Sequence, residues 1–248
     1  MTDHLERVEF PEEGENWEPR CPVVLLLDNS GSMTGDPIQE LNEGLKTFDR
    51  EVKADKLASL RVDLSIVTFG GHPLVVDPRG GYLEAGSQDV VKAFATADLF
   101  VPPVLTTGGL TPLGAAARLA LQLIRDRKEM YKKIGLDHFR PWVFLISDGA
   151  PTDNGWEQAA AEARAEEDRD GVIVFPVGIR RANLAALGQF SSKNKPLRLH
   201  GLAFNELFVW LSKSLSAVSR SLPGSQSAAG TQVALPPVGW SVVDTSTK

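Results

Sequence analysis

Short, wholly apolar runs punctuate the chain at Val23-Val24-Leu25-Leu26-Leu27, at Trp142 to Ile146 and at Val172 to Val177. Each is too short for a helix and has no polar side to turn toward water. Such runs predict strands covered on both faces. Val62 to Phe69 alternates apolar and polar residues and predicts a strand nearer the edge of the sheet, and Leu74-Val75-Val76 after Gly70-Gly71 predicts an antiparallel return. A helical period takes over between these runs. Asp36-Pro37-Ile38-Gln39 opens one helix, with Asp36 placed to cap, Pro37 suited to the first helical position and Gln39 able to close a capping box. Leu41, Leu45, Phe48 and Val52 then line one of its faces. Thr111-Pro112 opens the longest helix, whose buried face carries Leu113, Ala117, Ala120 and Ile124. Ala159, Ala160 and Ala163 mark a further helix. Asn183 to Phe190 reads as a short helix, Leu197 to Leu199 as a short strand and Phe204 to Ser219 as a last amphipathic helix. Between residues 78 and 109 the pattern offers only a weak helical signal around Val90 to Phe94.

This alternation predicts an α/β fold: a doubly wound, mostly parallel central sheet with one antiparallel edge strand and helices on both faces. Three segments follow from composition: an acidic N-terminal arm over 1–20, a domain over 21–221, and a Gly/Ser/Pro-rich tail over 222–248. Within the tail, Val233 to Trp240 is more apolar than a linker requires. It either packs back on the domain or serves as a short docking segment.

Charge sharpens the picture. The chain carries 26 Lys and Arg against 32 Asp and Glu, a formal net charge of −6. The arm holds Asp3, Glu6, Glu9, Glu12, Glu13, Glu15 and Glu18 against Arg7 and Arg20, so the remainder is nearly neutral. The arm reads as a solvated leader, with docking on a basic surface as the alternative. No basic field is present for a phosphate backbone, so nucleic acid is not an expected partner. At 248 residues and 42% hydrophobic content the chain can build a sizeable core. Cys21 has no second cysteine to pair with, which fits a reducing compartment. No apolar run has the length of a membrane span and no leader is evident, so a cytoplasmic protein with no membrane association is expected.

Ligands of doubly wound sheets sit beyond the carboxyl ends of the strands. There the sequence offers Asp28-Asn29-Ser30-Gly31-Ser32 after the first strand and Ser147-Asp148-Gly149 after another, with Gly108-Gly109-Leu110-Thr111 leading into the long helix. Asp28, Ser30, Ser32, Thr111 and Asp148 together give two carboxylates and three hydroxyls, all hard oxygen donors suited to Mg²⁺ or Mn²⁺. The Asp-x-Ser-x-Ser spacing lets alternate side chains converge, and Gly31 allows the loop to tighten. If the carboxylates act mostly through bound water, the ion keeps little negative charge around it and seeks an anionic ligand. A carboxylate from another protein is the natural one.

These residues resemble the metal-ion-dependent adhesion site of von Willebrand factor A domains, whose pattern is Asp-x-Ser-x-Ser with a Thr in a second loop and an Asp in a third. All five positions are matched, by Asp28, Ser30, Ser32, Thr111 and Asp148. The resemblance implies that the serines and the threonine approach the metal directly and the aspartates largely through water. Within the family the chain looks most like the bacterial cytoplasmic branch that includes the tellurium-resistance protein TerY. The shared wording is Leu25-Leu26-Leu27-Asp28, Gly35-Asp36-Pro37-Ile38, Leu113-Gly114-Ala115-Ala116 and Asp148-Gly149-Ala150-Pro151-Thr152-Asp153, with Phe208-Val209-Trp210-Leu211-Ser212 in the last helix. It spans about residues 21–221. Leu110 departs from the Gly-Gly-Thr that relatives often carry, and Ala150 from a frequent Glu.

Plainer readings stand beside these. Thr111 before Pro112 is a good helix cap in any protein. Asp153 reads as a cap for the helix that follows it, with a place on the rim of the metal site as the alternative. Arg180-Arg181 reads as a solvated pair, with grip on an acidic partner as the alternative. His4, His72, His138 and His200 have no ligand spacing. Enzyme signatures are missing: no Gly-x-Ser-x-Gly elbow, no phosphate-binding Gly-Lys loop, and Ser30 where a phosphoaspartyl transferase needs a second Asp. The expectation is a non-enzymatic module that captures an acidic residue of a partner protein through the metal. The resemblance implies an adaptor in stress defence of the tellurium-resistance type, or one working with a protein kinase and a phosphatase. The alternatives are a substrate-recruiting subunit of an AAA+ ATPase and, from another class, a Mg²⁺-dependent phosphohydrolase.

Overall fold

The computed structural model describes residues 16–81, 83, 89–148, 150–199, 203–221 and the backbone pair Ser241–Val242. In chain order the elements are β1 (Cys21–Leu27), α1 (Asp36–Ala54), α2 (Lys56–Arg61), β2 (Val62–Thr68), β3 (Leu74–Val76), α3 (Val90–Ala93) and β4 (Ala95–Thr96). Then follow α4 (Leu113–Ile134), β5 (Trp142–Ser147), α5 (Trp156–Asp168), β6 (Ile173–Gly178), α6 (Leu184–Gly188), β7 (Leu197–Arg198), α7 (Phe204–Ser219) and β8 (Ser241–Val242). The strand order is β3-β2-β1-β5-β6-β7-β8, with β4 also paired to β2.

The pairs β1/β2, β1/β5, β5/β6 and β6/β7 are parallel, and β3 returns antiparallel on β2 at the edge, as the alternation predicts. Two further antiparallel pieces are only two residues long: β4 on β2, and β8 on β7, which brings Ser241–Val242 to Leu197–Arg198. Alternate residues of the apolar strands feed two cores. Val23, Leu25 and Leu27 join Phe144, Phe175, Phe48 and Phe208 on one face. Val24 and Leu26 join Val143, Leu145, Leu113 and Ala120 on the other. Each fully buried Val, Leu or Phe contributes roughly 1.5–3 kcal/mol, so a strand covered on both faces is held twice over. On the first face α7 crosses α1 so closely that a Cβ on Gly44 would sit 2.7 Å from the Phe208 ring.

β2 neighbours the edge strand as expected, but it is buried along its whole length, polar residues included. Asp63 is wholly buried because α4 reaches down onto it: Arg127 Nε donates to Asp63 at 2.7 Å and the Tyr131 hydroxyl donates to the same oxygen. Arg127 also lies over the Phe94 and Tyr131 rings, 5.0 Å and 5.2 Å from their centres. Burial opposes the Arg127 charge, but Asp63 and Tyr131 more than offset it and raise its pKa. The capping expected of Asp36 is not found. It is the first residue of α1, after Gly35 at a φ of 90°, and no side chain caps that end.

The chain leaves β1 toward β2 on one side and returns through β5 on the other. The order of strands therefore reverses between β1 and β5, and the carboxyl ends of strands at such a reversal are where doubly wound sheets form their ligand crevice. Among the described residues no helix is long and apolar enough to cross a membrane.

Candidate functional site

Asp28 follows the last residue of β1 at the reversal point and is wholly buried. Its N–H donates to the Ile146 carbonyl at 2.9 Å. One carboxylate oxygen accepts from the Ser30 N–H at 2.8 Å and the other from the Ser147 hydroxyl. The parallel register that sets Leu27 against Ile146 brings Ser147 level with Asp28. Ser30 Oγ and Ser32 Oγ are 3.0 Å apart, and the Ser32 hydroxyl donates to Asp148 Oδ1 at 2.6 Å. Four of the expected residues thus form one connected chain, Asp28–Ser30–Ser32–Asp148. It runs from the interior at Asp28 to solvent at Ser32.

Thr111 is brought to this chain by its loop. Gly31 N–H donates to the Gly109 carbonyl at 3.1 Å, and Gly108 N–H to the Asn29 carbonyl at 2.9 Å. The Asn29 side-chain amide donates to the Thr106 carbonyl at 2.8 Å. Glycine makes this backbone-to-backbone approach possible. A Cβ on Gly70 would lie 2.4 Å from the Asn29 carbonyl oxygen and 2.5 Å from that of Gly108. Thr111 itself is buried and tied to the loop after β5. Its N–H donates to Thr152 Oγ1 at 3.0 Å, and its carbonyl accepts from Thr152 N–H at 2.9 Å.

Two capping expectations change here. α4 begins at Leu113, and no side chain from the preceding residue caps it. The cap comes from Asp153, whose carboxylate accepts from Gly114 N–H at 3.1 Å and Ala115 N–H at 2.8 Å. Asp153 therefore serves the helix before it in sequence. The first turn of α4 leaves N–H groups without partners inside the helix, and a carboxylate is well suited to that positive end. Thr111 is thus relieved of the capping role, and it is held by its backbone contacts to Thr152 and Leu113.

Burial pushes the Asp28 carboxyl above its ordinary range, outweighing the hydrogen bonds from Ser147 and Ser30; Asp148 adds a smaller push in the same direction. Among the described residues no Lys, Arg or His forms an ion pair with Asp28 or Asp148. No cluster of three or more His, Cys, Asp or Glu side chains able to hold a metal occurs among them either. The donors here are of another kind: two carboxylates with hydroxyl oxygens between them. That set fits a hard divalent cation such as Mg²⁺ or Mn²⁺. Both Asp28 oxygens already accept hydrogen bonds in a wholly buried position, which suits a ligand anchor and not an attacking nucleophile.

Residues 23–206 match the family model of the von Willebrand factor type A domain. The chain belongs to that family. As an A domain it is similar in fold to proximal thread matrix protein 1 of the mussel byssus, with a TM-score of 0.51 and 19% identity over 80% of this chain and 48% of that one. It is also similar to the pilus adhesin SpaC of Lactobacillus rhamnosus GG in its open conformation, with a TM-score of 0.57 and 15% identity over 82% of this chain and 30% of that one. The A domain thus spans less than half the length of either protein. No curated protein sequence matches it.

Sequence reasoning did not assign the residues that hold this A domain's site in place: Ser147 on Asp28, Asn29 on the Thr106 carbonyl, Thr152 on Thr111 and Asp153 on α4. Ser147 had a local signal, as the last residue of a strand ending beside another strand that ends in Asp, and Asp153 had one as a capping residue, but for the helix after it. The rim carries Leu110, 69% exposed next to Thr111, and Arg180, whose Nη1 lies 3.5 Å from the Ser32 carbonyl oxygen.

Proposed function

We propose that this A domain is a non-enzymatic protein-binding module, and that Asp28, Ser30, Ser32, Thr111 and Asp148 hold Mg²⁺ or Mn²⁺ at the β1/β5 crevice. When bound, the cation supplies an electropositive position for a carboxylate from a partner protein. The chain's own residues do the rest. Asp28 anchors the loop through Ser30 and Ser147, Ser32 ties that loop to Asp148, and Asp153 caps α4 in place of Thr111. The observation that carries the reading is the hydrogen-bonded chain from buried Asp28 to half-buried Asp148, two carboxylates joined through serine hydroxyls, neither ion-paired with a basic side chain among the described residues.

The finer reading places the protein in the bacterial cytoplasm, as a TerY-like adaptor in stress defence of the tellurium-resistance type or in kinase–phosphatase signalling. Its support is the loop wording quoted above.

The test is capture of partners from native lysate by three baits: wild type in Mg²⁺, wild type in EDTA and Asp148→Ala in Mg²⁺. A protein held by the first bait alone supports the reading, and its identity decides between the adaptor and an AAA+ ATPase subunit. A protein held equally by all three overturns it. Hydrolysis of an aryl phosphate that Asp28→Asn abolishes would replace it with the phosphohydrolase.

A further inference from the structure

Arg180 stands out among the described residues on three independent counts. Its φ is +51°, in the left-handed region, and the only other non-glycine residue there is Asp170. An Asp tolerates that conformation through its short polar side chain, whereas an Arg gains nothing from it. The position is nonetheless held firmly: Ile179 N–H donates to the Ser147 carbonyl at 3.0 Å, and Arg198 Nη1 donates to the Arg180 carbonyl at 2.7 Å. Finally, the guanidinium touches the backbone of Ser32, the residue whose hydroxyl joins the loop after β1 to Asp148, yet Arg180 forms no ion pair among the described residues. The contact to the Ser32 carbonyl, at 3.5 Å, is too long to use much of the fork's capacity. A backbone conformation that costs free energy is thus maintained so that an exposed guanidinium stands at the mouth of the crevice.

We propose that Arg180 is an anion-recognition residue of the partner surface. A partner segment that sets one carboxylate at the Asp28–Ser32–Asp148 crevice sets a second carboxylate, from an acidic residue one or two positions away, on the Arg180 guanidinium. The inference rests on the metal-dependent reading above. The planar fork binds a carboxylate through two parallel hydrogen bonds, which a lysine cannot copy. Consecutive Cα atoms lie about 3.8 Å apart, so nearby acidic side chains on one extended segment can reach two sites separated by a single residue of this rim. Ser32 is that residue: its side chain belongs to the crevice and its carbonyl to Arg180. The preferred partner is therefore doubly acidic.

The experiment selects random peptides displayed on phage, in Mg²⁺ and in EDTA, on wild type, Arg180→Gly and Arg180→Lys. Glycine removes the guanidinium while accepting the backbone conformation, so Arg180→Gly melts at the same temperature as wild type or higher. Wild type in Mg²⁺ is expected to enrich peptides with two acidic residues one or two positions apart. Arg180→Gly is expected to enrich peptides with a single acid and to bind the wild-type peptides about two- to fivefold more weakly at low salt. Arg180→Lys is expected to keep part of the attraction but lose the preference for spacing. Enrichment of single acids by wild type, or of the same pairs by Arg180→Gly, overturns the role of Arg180 while leaving the metal site standing. Enrichment that is equal in Mg²⁺ and EDTA overturns both.

Discussion

Thr111 and Asp153 share the head of α4: Asp153 accepts the Gly114 and Ala115 N–H groups at 3.1 Å and 2.8 Å, and Thr111, two residues before the helix, does not cap it. Helix stability and the placement of a candidate ligand thus depend on a residue from the loop after β5. Asp153→Ala is expected to lower stability by about 1 kcal/mol, the usual cost of losing a capping side chain. It should also weaken Mg²⁺ binding by loosening Thr111, while Asp153→Asn recovers most of the stability. Urea melts and Mg²⁺ titration calorimetry on both variants check this; wild-type stability in Asp153→Ala would show that the cap contributes nothing.

Metal binding should register as stabilisation. A ligand that binds only the folded state at about a hundredfold excess over its Kd adds about 2.7 kcal/mol. Mg²⁺ or Mn²⁺ is expected to raise the melting temperature of wild type and to leave Asp148→Ala unmoved. A shift of equal size in the variant would place the cation elsewhere.

Gly70 is the point of closest approach between the loops beneath Thr111. The Cβ of Gly70→Ala would meet the backbone oxygens of Asn29 and Gly108, which cannot move aside as a side chain could. Forcing extra volume into such a contact costs about 1–3 kcal/mol. The variant should lose both stability and metal affinity, and retention of wild-type metal affinity would show that the loops have a second stable arrangement.

At the opposite end of β2, Arg127 neutralises the wholly buried Asp63. Arg127→Met leaves that charge in the interior without its cation, with the Tyr131 hydroxyl as its remaining hydrogen-bond donor, and should cost about 3–5 kcal/mol. The double replacement Asp63→Asn with Arg127→Met removes the charge as well and should be the more stable of the two proteins. Denaturation midpoints compare them directly; a double variant less stable than the single would assign Asp63 a role beyond pairing.

Asp55 supplies an acid-sensitive contribution. Burial works to raise its pKa, but the Ala58 N–H, Arg220 and the Leu57 N–H together outweigh burial and hold the carboxyl below the usual range. A depressed carboxyl stabilises the fold fully above its unfolded-state value of about 3.9, and that contribution fades as pH falls through the lower folded value. Asp55→Asn should flatten this part of the stability profile below about pH 4. A profile identical to wild type would show that other carboxyls govern the acid limb.

The candidate site was more legible in the sequence than its supports. Asp28, Ser30 and Ser32 lie in one loop directly after an apolar run, so their convergence follows from local spacing. Asp148 takes the matching place after a second such run. The helices fared well for a similar reason, but their caps did not: Asp153 takes the place expected of Thr111 at α4, and Asp36 looked like a cap from its neighbours alone, but Gly35 turns the chain one residue earlier and Asp36 falls inside the helix. The full burial of Asp63 was not legible for the opposite reason. In an alternating strand its carboxylate suggests a face toward water, and only the descent of Arg127 and Tyr131 from α4 makes that face interior.

The sequence by itself determined the class of fold and the chemistry at the carboxyl ends of β1 and β5. Both follow from short-range patterns: runs apolar at every position, and carboxylate, hydroxyl and glycine at fixed offsets just after them. The tertiary structure decided which groups hold that chemistry in place. Ser147 on Asp28, Thr152 on Thr111, Asp153 on α4 and Arg180 beside Ser32 are contacts between segments far apart in the chain. No local spacing encodes such pairs. They arise when parallel strand register, set by the buried apolar faces, brings separate loops to the same end of the sheet.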